Sequence, residues 1–112
     1  MLDVQFKKGV LPILVLTLIE RQDTYGYALL QALDRESGGA FRLKEGTLYP
    51  VLYRLEDQGW IESYRSDPGM ERRVPRKYYR ITPAGRTKKR ELQHEWNNLT
   101  AIVAAMTGEK DD

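Results

Sequence analysis

Lys44-Glu45-Gly46-Thr47-Leu48-Tyr49-Pro50-Val51-Leu52-Tyr53-Arg54-Leu55-Glu56-Asp57-Gln58-Gly59-Trp60 is a short helix with two unlike sides. Leu48, Leu52 and Leu55 recur at i, i+4 and i+7, so they share one apolar face. About half a turn away lie Gly46, Pro50, Tyr53 and Arg54, flanked by Thr47 and Tyr49. A guanidinium, several hydroxyls and a glycine that permits close approach are what a nucleic-acid groove demands. Gly59 stands where a helix C-terminal stop belongs. Pro50 is tolerable only near a first turn, which puts the helix start between Lys44 and Thr47.

The flanking segments supply context for this helix. Residues from Leu2 to about Arg21 read as helical, with Leu11, Leu14, Val15, Leu18 and Ile19 inward and Pro12 kinking the helix or starting its main part. Asp23 or Thr24 caps a second helix to about Glu36, with Tyr25, Leu29, Ala32 and Leu33 inward. Ser37-Gly38-Gly39 ends it. Residues 60–65 and 77–82 are rich in aromatic and β-branched side chains and read as strands. The hairpin loop between them, residues 67–76, carries Arg72, Arg73 and Arg76. The whole is a mainly α chain with one β-hairpin, in the order of a winged helix-turn-helix (residues 1–82). Trp60 and Ile81 belong to its core.

Residues 83–112 form a separate unit: one long helix and a short acidic tail. Thr82 is a good N-cap, and Pro83 follows at the first helical position. Leu92, Trp96, Leu99, Val103 and Met106 alternate four and three residues apart, a seam suited to another helix. A homodimer contact is the expectation, since symmetric dimers are common and suit two-fold DNA sites.

Charge points the same way. Ten basic residues against Asp67 and Glu71 give +8 between Arg65 and Arg90, so with +2 overall the remainder carries −6. Such asymmetry suits a polyanion partner on one side of the molecule. The chain has no cysteine and one histidine, His94, so a thiolate metal site is excluded and no metal or cofactor is expected. With neither a nucleophile elbow nor a phosphate-binding glycine loop, an enzyme has little to work with. The apolar run of residues 10–19 falls short of the about 20 residues that a bilayer span needs. No secretory leader is recognisable either, so a cytoplasmic location without a membrane partner is the default expectation.

Four motifs now carry a resemblance: Tyr25-Gly26-Tyr27, Gly46-Thr47-Leu48-Tyr49-Pro50, Arg54-Leu55-Glu56 followed by Gly59, and Arg76-Lys77-Tyr78-Tyr79-Arg80-Ile81-Thr82. In this order and spacing they resemble the PadR family of bacterial transcriptional regulators along nearly the whole chain. The single C-terminal helix is similar to that of the small subfamily, homodimeric winged-helix proteins that are mostly repressors. The resemblance implies an inverted-repeat DNA operator, with the third helix in its major groove and the wing along its backbone or minor groove. It places the recognition role on Lys44, Glu45, Thr47, Tyr49, Pro50 and Arg54, and the wing contacts on Arg72, Arg73, Arg76 and Lys77. Tyr27, beside Tyr25, is a candidate for a phosphate contact at a helix start. Trp96 stands where relatives that sense flat drugs have a stacking tryptophan. It is either a platform for a small aromatic or hydrophobic effector or an interface anchor. The competing function is a winged-helix module that binds protein without recognising an operator.

Overall fold

The computed structural model describes residues 4–66 and 76–108, with side chains from Lys7 onward. Four helices and three short strands follow one another: α1 (Val4–Arg21), β1 (Thr24–Tyr25), α2 (Gly26–Glu36), α3 (Glu45–Asp57), β2 (Ile61–Arg65), β3 (Lys77–Ile81) and α4 (Pro83–Thr107). The strands form an antiparallel sheet of order β1-β3-β2, with Ser63 opposite Tyr79 and Thr24 on the other side of Tyr79.

α1 is the central rod, packed against α2, α3, α4 and β3. Neighbours on several sides explain why Ile13 and Leu16 are buried together with Leu11, Val15 and Ile19, while Leu14 and Leu18 are only partly covered. A helix enclosed this way loses its one-sided pattern, which is why Ile13 and Leu16 escaped the sequence reading. Pro12 lies inside the continuous helix and does not start it. Leu29 and Leu33 of α2, Phe41, Leu48, Val51, Leu52 and Leu55 of α3, and Ile61 and Tyr79 of the sheet complete the core. Trp60 and Ile81 lie at its edge, half-buried.

Neither Asp23 nor Thr24 caps α2. Tyr25, with extended backbone, occupies the cap position and offers no side-chain cap bond. Thr24 and Tyr25 are instead extended because they pair with Tyr79 and Tyr78 as a third strand. The Asp23 carboxylate accepts a 2.6 Å hydrogen bond from the Tyr64 hydroxyl.

α3 begins after Lys44, whose carbonyl accepts from the Thr47 and Leu48 amides. The start lies in the expected Lys44–Thr47 window, and Pro50 falls just past the first turn. Its missing N–H leaves the Gly46 carbonyl without its helical donor, and Gly46 is exposed, so water can take that place. The helix stops as its glycine foretold. Gly59, at φ 77°, donates to the Glu56 carbonyl, and Trp60 donates to that of Leu55.

The stop of α3 is wired to the start of α4. Thr82 donates its hydroxyl to the Gly59 carbonyl at 2.6 Å and accepts from the Gly85 amide at 3.0 Å, while its own amide donates to Trp60. A Cβ on Gly85 would collide with the Trp60 carbonyl oxygen, so glycine is what lets the helix sit this close. The Lys88 ammonium lies 5.0 Å from the centre of a Trp60 ring. Beyond this base, α4 leaves the domain. Leu92 is partly covered, whereas Trp96, Leu99, Ile102, Val103 and Met106 are exposed.

Candidate nucleic-acid interface

The buried row Leu48, Val51, Leu52 and Leu55 fixes which side of α3 faces water. Lys44, Glu45, Gly46, Thr47, Pro50, Tyr53 and Arg54 are all exposed. Tyr49 is half-buried: its ring is 6.1 Å from that of Tyr53, and its hydroxyl lies against Gly26 at the start of α2. The exposed side has two edges. Tyr49, Tyr53 and Glu56 border the sheet, and Thr47, Pro50 and Arg54 border α1.

Lys77 occupies the sheet-side edge. Its ammonium is 4.0 Å from the Glu56 carboxylate, 5.8 Å from the Tyr53 ring centre and 5.5 Å from that of Tyr79. It thus ties the hairpin to α3 as well as presenting charge. Glu56 is held from the other strand by the Ser63 hydroxyl at 2.6 Å. At the neck of the hairpin, the Ser66 amide donates to the Arg76 carbonyl at 2.8 Å, and the Arg76 amide donates to the Ser66 hydroxyl oxygen at 3.1 Å. The Arg76 guanidinium lies 4.3 Å over the Tyr25 ring, which also meets Tyr78 edge-on. Arg72 and Arg73 lie outside the described residues. Tyr27 is 63% exposed, and its hydroxyl accepts from Gln31, one turn on.

The α1-side edge opens into a notch of about 260 Å³ bounded by Gly46, Thr47, Pro50 and Arg54 on one side and Lys8 and Leu11 on the other. Lys8 was not singled out by sequence reasoning. A lysine pair, Lys7-Lys8, in an N-terminal helix gives no local sign of lying beside a segment far along the chain.

Position also changes the meaning of the basic stretch. Arg80 pairs with Glu62 at 2.7 Å, and Arg86 and Lys89 both reach Glu20 of α1 at 3.2 Å. The Lys89 ammonium hydrogen-bonded to Glu20, with Arg86 alongside, holds that carboxyl below its ordinary value. Part of the +8 therefore neutralises the protein's own acids. Linear counting missed this because the stretch folds as two things, a hairpin and the base of α4. Among the described residues no ion pair involves Lys8, Lys44, Arg54 or Arg65. None of the described His, Asp and Glu side chains cluster as a metal site, and His94 is exposed on α4.

The chain is similar to characterised proteins over most of its length. The model of the transcriptional regulator PadR-like family matches residues 15–91. Transcriptional regulator Rv3488 of Mycobacterium tuberculosis is 36% identical over 100 residues, covering 88% of this chain and 87% of its own. The crystal structure of a PadR family regulator from Eggerthella lenta superposes with a TM-score of 0.82 at 34% identity, over 96% of this chain and 89% of that one. A regulator from Clostridium thermocellum gives 0.85 at 28% identity, over 94% and 97%. With the same order of helices and winged sheet, and with sequence identity along the chain, this protein belongs to the PadR-like family of transcriptional regulators, not to a family of enzymes.

Proposed function

We propose that the protein is a homodimeric repressor that binds an inverted-repeat DNA operator, with α3 in the major groove and the hairpin along the backbone. The observation that carries this reading is the division of α3. Four apolar residues anchor it, while Lys44, Glu45, Thr47, Pro50 and Arg54 stand in water without a structural task. Such a face loses nothing in folding if altered, so its chemistry is available for bases and phosphates. Tyr49 takes part from a half-buried position, and Lys77 and Arg76 approach from the sheet side, with Arg72 and Arg73 beyond them. Binding to chromosomal DNA puts the protein in the cytoplasm. Among the described residues no helix is long and apolar enough to cross a membrane.

The dimer joins through α4, along Leu92, Trp96, Leu99, Val103 and Met106, with Ile102, exposed beside them, supporting the same contact. An apolar trough of about 610 Å³ runs between this helix and Gly9 and Ile13 of α1, and Trp96 lines it. A small flat effector stacked on Trp96 there would release the operator, and quenching of indole emission reads such binding.

The test is anisotropy titration on the duplex upstream of the protein's own gene. Thr47→Ala with Arg54→Ala lowers affinity at least about tenfold, because one good base contact is worth about 1–3 kcal/mol. The melting temperature moves by no more than a few degrees. Full affinity in the double variant places the reading surface elsewhere. A folded wild-type dimer that binds no duplex points to a protein-binding winged helix instead.

A further inference from the structure

We propose that the notch between α1 and α3 seats a DNA backbone phosphate in each half-site, gripped by Lys8 from α1 and Arg54 from α3. The proposal rests on the operator-binding reading above and adds to it a contact on the side of the reading helix away from the wing.

Three observations carry it. First, Lys8 and Arg54 line one notch of about 260 Å³ with Leu11 and Pro50, so two like charges share a small space. Among the described residues neither has a carboxylate partner, and no carboxylate lines the notch. Two cations brought together this way are an anion site waiting on an external charge. A DNA phosphate supplies that charge as soon as α3 enters a groove.

Second, Gly46 on the rim has no use inside the protein. A Cβ built on it meets nothing within 4 Å, and its φ is not among the positive ones. Alanine would favour the helix there. A glycine that the fold does not need is accounted for by another molecule's approach to the bare backbone at the mouth of the notch.

Third, the two edges of α3 are furnished alike. Lys77 sits at the edge bordering the sheet, beside Tyr53. Lys8 sits at the edge bordering α1. Cations on both flanks of a helix seated in a groove meet phosphates on both walls, which fixes the helix's tilt as well as its depth.

Phosphate contacts are indifferent to sequence, so a labelled duplex of arbitrary sequence serves as the probe. Anisotropy is measured over a series of salt concentrations for wild type, Lys8→Ala, Lys8→Arg and Gly46→Ala, each confirmed folded by its melting curve. In Lys8→Ala the slope of log K against log salt falls by about two, one contact per subunit, and Lys8→Arg restores it. Gly46→Ala melts higher than wild type and binds more weakly. If Lys8→Ala keeps the wild-type slope while wild type still prefers the duplex upstream of its own gene to arbitrary sequence, the notch holds no phosphate and the operator reading survives without it. If the wild type binds no duplex, both fall together. Gly46→Ala binding as well as wild type removes the close approach.

Discussion

Among the described residues, the Tyr79 hydroxyl has no hydrogen-bond partner, and the side chain is only 1% exposed. An orphaned buried hydroxyl forfeits its bonds to water and gains nothing in return, a cost of about 1–3 kcal/mol. Tyr79→Phe keeps the ring that fills the core and removes that liability. Urea unfolding should therefore show the variant as stable as wild type or more so, by up to about 1 kcal/mol. Burial, with smaller contributions from Tyr49, Glu56 and Tyr53, pushes the Tyr79 phenol up to about 12. The folded state thus holds this proton more tightly than the unfolded chain. Its contribution is present below the ordinary value of 10.0 and is lost as pH rises towards about 12. Wild type should lose more stability than Tyr79→Phe across that window, and equal alkaline losses would place the phenol in a wetter setting. That Tyr79 is central was only half legible in the sequence. The aromatic and β-branched content of residues 77–82 gives a strand, but which face points inward depends on β1 and β2 on either side. Lys8 is the mirror case, a residue invisible to local pattern and noticed only because it lines the same notch as Arg54.

Longer segments were legible where chain chemistry alone closes them. The Gly59 stop, the Thr82 cap with Pro83 behind it, and the strand pair all appear as read. β1 was missed because two residues carry no period, and their extension is imposed by β3. Pro50 also located the start of α3, because a proline is tolerated near a helix beginning, and the helix begins at Glu45, inside the expected Lys44–Thr47 window. The junction between α1 and α4 also lay outside any local pattern. Glu20 forks to Arg86 and Lys89, three charges on helices far apart in sequence. Replacing Glu20 with Gln keeps its shape and removes the charge. The partners are partly exposed, so the stability lost at neutral pH is on the order of 1 kcal/mol or less. The sign follows from the depressed carboxyl. Stabilisation is complete above the ordinary value of 4.5 and disappears as pH falls through the lower folded value. Thermal melts of wild type and Glu20→Gln should differ at pH 7 and converge in acid. A gap that persists below that range would mean the glutamate acts through packing rather than charge.

A chain of this length folded as one ball has a radius of gyration near 13 Å, whereas this molecule measures 16.1 Å and extends 59 Å along its longest axis. The excess is α4, whose 25 residues run for about 37 Å. Its seam was plain in the sequence, and the fold leaves it uncovered: Trp96 is 38% exposed, Leu99 53%, Val103 52% and Met106 83%. Side chains this large do not line up at heptad spacing on a free helix without a partner to meet. The proposed dimer would satisfy the requirement, because a two-fold axis would bring the same seam to itself and set two α3 helices at a fixed separation. Half-sites roughly 10 base pairs apart, or a multiple of that, then match the dimer. Replacing Leu99 and Val103 together with Asp buries like charges in that contact, at a cost of several kcal/mol. Neither side chain belongs to the core around α1, so the winged domain should keep its secondary structure. Light scattering should report a monomer, and affinity for a paired operator should fall far more than affinity for a single half-site. A folded double variant that still scatters as a dimer would move the interface off this seam, and with it the geometry that links two reading helices to one operator.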